Sequence, residues 1–273
     1  MPDKNPDYNH TNHLLFRFRE RGLEPTGRRE VTGLRDIDHA LANLLATALK
    51  GLMVSEETLH NRAFARFAAR PPRDQVLVGH FDDLRDMVRS IRQAKAGRPS
   101  QHGNPFANPD ALPIINITRT LDLSYGYTER QLDRQDFAEL QDTTTGETRF
   151  LLSTLPVTLT YNLTIASADK EPLAMLCNLL AGHFYALHST SFEAVTRLAG
   201  ADIELECALN NMKGTMISDV SLPVSEERLF AGQMTIEVIA DTMIAHEVKQ
   251  VARRYQVGIK AMDETRPFPN KDA

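Results

Sequence analysis

Hydrophobic and polar residues alternate without interruption in one stretch of the chain. Between Val157 and Ile165, apolar residues occupy every odd position and threonine or asparagine every even one. Alternation with a period of two is typical of a β-strand with one buried face, so it predicts a strand over 155–166. The polar face carries hydroxyls and one amide but no acid, base or thiol. This strand therefore either supports a site elsewhere or is itself the functional element.

Alternation also predicts three other strands. The segment "PIINITRTLDLSY" places one apolar set on a single face, with Arg119 as its only interruption; the set is Ile115, Ile117, Leu121, Leu123 and Tyr125. "ADIELECAL" predicts a strand that exposes Asp202, Glu204 and Glu206, and "QMTIEVIADTM" predicts the last one. "GTMISDV" is typical of a shorter strand, and "LPVSEERLF" of a turn or bulged excursion.

Helical spacing predicts three helices before residue 98. The first spans Ile37–Lys50 with Asp36 as its cap, the second begins at Ser55 and ends before Pro71, and the third covers "HFDDLRDMVRSIRQAKAG". A fourth helix follows the alternating strand, with Ser167 or Asp169 as cap and Pro172 in the first turn. Its apolar stripe is Leu173, Leu176, Cys177, Leu180, Phe184 and Leu187. Residues 246–260 predict a terminal amphipathic helix.

The order of these elements predicts an α+β fold: an antiparallel or mixed β-sheet packed against one long helix, with an N-terminal helical extension. Residues 1–35 are interpreted as an extended arm, in which "LLFRFRERG" is an edge strand or docking segment and "LEPTGRREVTG" interrupts regular structure. The helical extension and a linker rich in Pro, Asn and Gly occupy 36–110. The α+β core occupies 111–245, and the C-terminal helix and tail occupy 246–273.

Composition is that of a globular protein, with 42% hydrophobic and 25% charged residues among 273. The sequence has no apolar run of the roughly 20 residues that span a bilayer, and the polar N-terminus does not resemble a signal peptide, so we expect cytoplasmic synthesis and no membrane partner. Residues 1–100 carry a net charge of +4 and residues 101–273 carry −9. Either these are separately solvated faces, or they are complementary surfaces between copies or partners.

The sequence carries few of the patterns that are typical of catalytic or metal-binding sites. The chain has no glycine-rich phosphate loop, no His-Glu-x-x-His motif and no nucleophile elbow. Cys177 and Cys207 are predicted to be buried free thiols. Glu204 and Glu206 share one face of a strand, but no basic partner lies near them in sequence. We therefore predict no enzymatic activity, no metal and no cofactor; DNA binding is also disfavoured, because the arginines of the basic half are mixed with acids.

The segment "LPVTLTYNLTIASADKEPLAMLCNLLAGHF" resembles the central unit of neck and tail-completion proteins of contractile-tailed bacteriophages. Before it, "LPIINITRTLDLSYGYTERQLD" is similar to the strand and charged excursion of that family. After it, "DIELECAL", "DVSLPVSEERLF" and "AGQMTIEVIADTMI" are similar to its later strands and turn. The similarity covers roughly 110–245. The N-terminal hundred residues depart from the family pattern.

This resemblance implies a structural virion protein, made in the host cytoplasm. It implies a homohexameric ring at the head-proximal end of the tail, which caps the tail tube, stabilises the last sheath ring and docks to the head connector. The alternative within the same class is a head-side collar or head-completion adaptor. The implied partners are other copies of the chain, tube and sheath proteins and connector proteins, with DNA at most passing through the lumen.

Three segments are predicted to make these contacts. Long loops in compact domains are usually functional or disordered, which selects the arm and the charged excursion 126–150. The third is formed by the acidic strand and the turn after it. The candidate interface residues are Phe16, Arg17, Phe18, Arg19, Arg130, Asp133, Arg134, Glu204, Glu206, Glu226, Glu227 and Arg228.

Overall fold

A computed structural model describes residues 22–79, 81–95, 111–125, 138–142, 144–186, 191–210, 216–224 and 227–250. The fold is mixed α/β, built mostly of strands that form a large curled sheet. In chain order its elements are β1 (Leu23–Val31), α1 (Arg35–Ala48), α2 (Arg62–Ala68), α3 (Pro72–Gln75), β2 (Val76–Val78), α4 (Leu84–Lys95), β3 (Ile114–Tyr125), β4 (Ala138–Gln141), β5 (Thr148–Ser167), α5 (Lys170–Ala186), β6 (Ser191–Leu198), β7 (Ala201–Asn210), β8 (Ser218–Asp219), β9 (Leu222–Val224) and β10 (Glu227–Gln250).

Two long strands form the centre of the sheet. β5 and β10 run antiparallel from the pair Phe230–Ser167 to the pair Glu247–Phe150. The predicted strands over 155–166 and 233–243 are confirmed, and both are longer than predicted. The alternation in β5 gives the expected buried face, because every odd residue from Val157 to Ile165 is almost completely buried.

The sheet has the strand order β2-β3-β5-β10-β7-β6, with β6 at one margin. β2 pairs with β3 in parallel through only three residues, opposite Ile115–Ile117, and the other pairings on this path are antiparallel. β6 was not predicted from the sequence. It forms a hairpin with β7 through a turn at Ala199 and Gly200, which both have positive φ.

Two helices cover the concave core, one from the predicted α+β core region and one from the N-terminal region. α5, the predicted fourth helix, contributes Leu176, Leu180 and Phe184 to the main apolar cluster. α1 contributes Ile37, Leu41 and Leu45 to the same cluster. The N-terminal helical region therefore shares one core with the sheet, since its apolar stripe has nowhere else to be buried.

The opposite face of the sheet is covered at one end by α4. Met87 and Val88 of this helix, together with Phe81, pack against Ile114, Ala166 and Ala231. The side-chain amide of Asn116 donates a hydrogen bond to the Phe81 carbonyl at 2.9 Å. This helix lies within the predicted range 80–97. The rest of this sheet face, toward β7 and β6, carries mostly polar side chains.

The starts of the first two helices differ from the prediction. α1 begins at Arg35 with Leu34 as its N-cap residue, so Asp36 lies in the first turn and does not cap the helix. α2 begins at Arg62, not at Ser55, because Asn61 and Thr58 hydrogen-bond to each other and form the turn before the helix.

The N-terminal part of β5 and the C-terminal part of β10 form an extension of the sheet together with β1 and β4. β1 pairs with β10 from Leu23–Gln250 to Val31–Ile244, with a bulge between Pro25 and Arg29. "LEPTGRREVTG" was predicted to interrupt regular structure, and this is wrong because 23–31 form a strand. The helix predicted from 246 is also wrong over 246–250, which continue β10; residues 251–273 lie outside the described part of the chain.

Arg70 fixes the start of β3 to the helical region. Its guanidinium donates hydrogen bonds to the carbonyls of Ala111, Leu112 and Pro113 at 2.6, 3.0 and 2.8 Å. Three neutral acceptors around one cation hold this turn against the end of α2. The linker predicted at 98–110 lies outside the described residues, and the domain boundaries stay a prediction. No helix in the described part is both long and apolar enough to cross a membrane.

Candidate interaction surfaces

A small group of buried polar contacts positions α1 beneath the sheet. The Tyr161 hydroxyl of β5 donates to Asp38 Oδ1 at 2.8 Å, and Arg119 of β3 lies 3.7 Å from Asp38 Oδ2. Nearby on α1, Asp36 Oδ2 accepts a hydrogen bond of 2.6 Å from the Thr196 hydroxyl of β6. These contacts connect α1 to three strands, so they fix the position of the β6 margin relative to the core.

The pKa values in this region are typical of structural groups. Burial, reinforced by the neighbouring Asp38 carboxylate, raises the pKa of the Tyr161 hydroxyl well above its usual range. Burial raises the pKa of the Cys207 thiol to about 12, with Asp241 and Glu206 adding to the effect. Cys207 is buried and Cys177 half-buried, and both are free thiols as predicted. A protonated thiol is a poor nucleophile, so these cysteines are suited to packing.

One serine–histidine contact occurs in the extension. Ser153 Oγ lies 3.1 Å from His246 Nε2. Burial and the nearby Arg29 lower the pKa of His246, so the ring is neutral at pH 7. Ser153 is only 7% exposed, which leaves a substrate no access to its hydroxyl. The pair therefore packs the extension and does not have the accessible nucleophile of a hydrolase. Within the described residues, no group of three or more His, Cys, Asp or Glu side chains is arranged to hold a metal.

The acidic margin of the sheet is formed by β6 and β7. Glu204 and Glu206, both predicted as interface residues, are exposed on one face of β7 as the alternation required. Across the hairpin, Glu206 pairs with Glu193 and Glu204 pairs with the 59% exposed Val195. These carboxylates border an open depression of about 540 Å³, lined by Ser191, Phe192, Glu193, Glu204 and Glu206.

Glu193 was not predicted as an interface residue because β6 was not predicted as a strand. A signal was present: Phe192, Ala194, Thr196 and Leu198 take alternate positions. Thr196 breaks the apolar set, and its burial depends on the hydrogen bond to Asp36, a residue far away in sequence. The strand therefore depends on a long-range contact that local periodicity does not reveal.

The second surface is the C-terminal half of β3, from Leu121 to Tyr125. Leu121, Leu123 and Tyr125 were predicted to be buried, and this is wrong: Leu121 is 96% exposed and Tyr125 is 54% exposed. A register shift between Arg119 and Leu123 changes the path of the strand, and β2 pairs only with 115–117. An uncovered run of apolar residues on a strand is typical of an interaction surface.

The other predicted interface residues fall into two groups. Phe16, Arg17, Phe18, Arg19, Arg130, Asp133, Arg134 and Glu226 lie outside the described residues. Glu227 and Arg228 begin β10, where their backbone pairs with Val224 and Pro223 of β9. "LPVSEERLF", predicted as a turn or bulged excursion, therefore contains the paired strands β9 and β10. This pairing is separate from the β6–β7 hairpin, so Glu227 does not belong to the acidic margin that Glu204 and Glu206 form.

The sequence matches no protein-family model and no curated protein.

Proposed function

We propose that this chain is a structural subunit of a phage virion. It forms a homohexameric ring at the head-proximal end of a contractile tail, where it caps the tail tube, stabilises the last sheath ring and docks to the head connector. The proposal rests first on the resemblance over 110–245. It includes the finer description of that region as a sheet packed against one long helix, with Lys170–Ala186 as the helix.

The observation that carries the proposal is the apolar end of β3, which no element of the described chain covers. Leu121, Leu123 and Tyr125 project from a strand whose outer neighbour, β2, ends opposite Ile117. Leu121 is almost fully exposed and gains roughly 1.5–3 kcal/mol when it is removed from water. Leu123 and Tyr125 are already partly buried and gain less, but a partner that covers all three residues is favoured. A ring subunit needs such a surface because each copy contacts the next through a heterologous interface.

The chemistry of the described residues supports an interaction role more than catalysis. The Ser153 hydroxyl is buried beside His246, and the thiol of Cys207 has a raised pKa. The exposed groups with clear organisation are instead an apolar strip, which suits the core of an interface, and an acidic sheet margin, which suits the selection of a partner by charge. The same features would serve a head-side adaptor. Whether the chain binds isolated tails or heads distinguishes the tail protein from the adaptor.

The test is negative-stain electron microscopy of the purified chain, alone and mixed with contractile tail tubes that have an open head-proximal end. We expect rings that cap one end of the tubes. Leu121→Asp should abolish the rings, because it places a charge in an apolar strip that the neighbouring copy would bury. Leu59→Asp is the matched control, since Leu59 is an equally large apolar residue, 80% exposed in a different region. A chain that stays monomeric and never engages tails contradicts the proposal, and rings that bind only heads support the adaptor alternative.

A further inference from the structure

We propose that the open edge of β6 binds the N-terminal segment Leu14–Arg21 of a second copy as an added β-strand. β6 is the last strand on its side of the sheet and, within the described residues, pairs only with β7. Its outer backbone donors and acceptors are therefore available for main-chain pairing, which is how many extended peptides bind to a sheet.

The alternation in the segment matches the two faces of this edge. In "LLFRFRER", Phe16 and Phe18 take one set of positions and Arg17, Arg19 and Arg21 take the other. Successive side chains of a strand point to opposite faces, so all three arginines would lie on one face of the sheet. The phenylalanines would lie on the other face.

The β6 margin offers the complementary chemistry on each face. Glu193 and Glu204 are exposed on the outer face, in diagonal positions across the hairpin. Phe192 points to the other face and packs, half-buried, against the main core. The open depression of about 540 Å³ is bordered by these carboxylates, so it can receive an arginine. On the neighbouring strand β6, Glu193 attracts an arginine of the segment and Arg197, exposed on the same face, repels one, so the charges set the register of the pairing.

The reach of the chain assigns the segment to a second copy. Leu23 pairs with Gln250 at the tip of the extension. The near end of β6 meets β1 through Ala199, whose amide donates to Glu30 Oε2 at 2.9 Å. Glu30 is seven residues from Leu23 along β1, about 20 Å. Arg21 is at most about 7 Å from Leu23 and Arg19 at most about 14 Å, so the half of the segment nearest to β1 cannot lie along its own β6.

The far end of β6 is more distant still. Ser191 pairs with Ala208, which pairs with Ile239 of β10. Ile239 lies eleven residues from Gln250, about 35 Å along the strand. The segment therefore leaves the extension tip away from its own acidic margin and is available to the margin of a neighbour. This inference rests on the proposed function only in taking that neighbour from the same ring.

A charge-reversal experiment on the full chain tests the pairing. Arg17→Glu with Arg19→Glu should weaken self-association, measured by sedimentation velocity, by about tenfold. Adding Glu193→Arg and Glu204→Arg should restore it. The matched control adds Glu147→Arg, in an exposed hairpin turn, which should not restore it. The inference is wrong if the fourfold variant associates no better than the Arg17→Glu, Arg19→Glu variant. It is also wrong if the unmodified chain never self-associates.

Cross-linking tests which copy provides the segment. Arg19→Cys and Glu193→Cys are placed on differently tagged chains in which Cys177 and Cys207 are replaced by alanine. After mixing, a short bismaleimide should join the two tags. If a chain that carries both cysteines gives only an internal cross-link, the segment belongs to its own copy and the inference is wrong. Rings that cap tails without the cross-link overturn this inference alone, whereas the cross-link without tail binding overturns the proposed function alone.

Discussion

The Tyr161–Asp38 hydrogen bond is the contact through which one polar residue of β5 holds α1. Tyr161 is fully buried, so its hydroxyl has no water to replace Asp38. Tyr161→Phe should lower the free energy of unfolding by about 1.5–3 kcal/mol, since the acceptor is charged and partly desolvated. Urea denaturation provides the measurement. Tyr125→Phe is the control and should change nothing, because that side chain is 54% exposed; equal effects at both sites would contradict this role for Asp38.

The same tyrosine predicts a loss of stability in alkali. Its pKa is raised above the ordinary 10.0 by burial and by Asp38, so the folded chain keeps a proton that the unfolded chain releases. The free energy of unfolding should therefore fall as pH rises above 10, by about 1.4 kcal/mol per pH unit for one proton. Tyr161→Phe should remove this part of the slope in urea titrations at pH 9 to 11. Parallel curves for the two proteins would show that Tyr161 ionises equally in both states.

At the scale of elements, the packing of β10 against α5 and β8 depends on Gly232. A Cβ at this position would lie 2.9 Å from Ile217 Cγ2 and 3.3 Å from Cys177 Sγ. Ile217 is β-branched and has little freedom to move, so Gly232→Ala should destabilise the protein by about 1–3 kcal/mol. Gly182→Ala is the control.

Gly182 lies in α5, where an added methyl group would meet no atom of another element within 4 Å. Alanine is the better helix former, so Gly182→Ala should stabilise the protein by up to about 1 kcal/mol. Thermal denaturation of both variants gives the comparison. If both variants are destabilised alike, the close approach at Gly232 is not the cause.

The central elements could be predicted because their pattern is local. β5, β10 and α5 each bury one regular apolar face, so period alone indicates their type. β1 could not be found this way: eight of its nine residues are exposed, and it exists because β10 offers it a partner. Residues 246–250 have a helical pattern on their own, and the same pairing makes them a strand. The exposed end of β3 has an apolar face in sequence, but no element of the described chain covers it.

At the scale of the whole molecule, the two candidate surfaces lie toward opposite margins of the sheet. The apolar end of β3 lies beyond β5, and the acidic β6 margin lies beyond β10 and β7. Two different surfaces at opposite margins suit a head-to-tail contact, in which each copy uses one surface toward each neighbour. Such an arrangement closes into a ring when the rotations of successive copies add up to a full turn without displacement along the axis, and otherwise it forms an open helical filament.

The extension should also be the least stable part of the described chain. Its tip is held by the small cluster of Leu23, Leu151 and Val248, whereas the central sheet rests on the main core. Local opening is easier where fewer apolar groups are buried, so amide hydrogens of 148–151 and 246–250 should exchange faster than those of 157–165. Hydrogen exchange followed by mass spectrometry measures both sets in one experiment.

Two alanine variants test whether the tip of the extension opens independently of the central sheet. Leu151→Ala should accelerate exchange in the tip and leave 157–165 protected, because it empties the small cluster alone. Leu159→Ala removes a side chain from the main core and should accelerate exchange everywhere, at a cost of about 2–5 kcal/mol in global stability. Uniform exchange in the unmodified chain would mean that the extension unfolds only with the body. Protection of the tip that appears only on self-association would instead place the extension in the interface between copies.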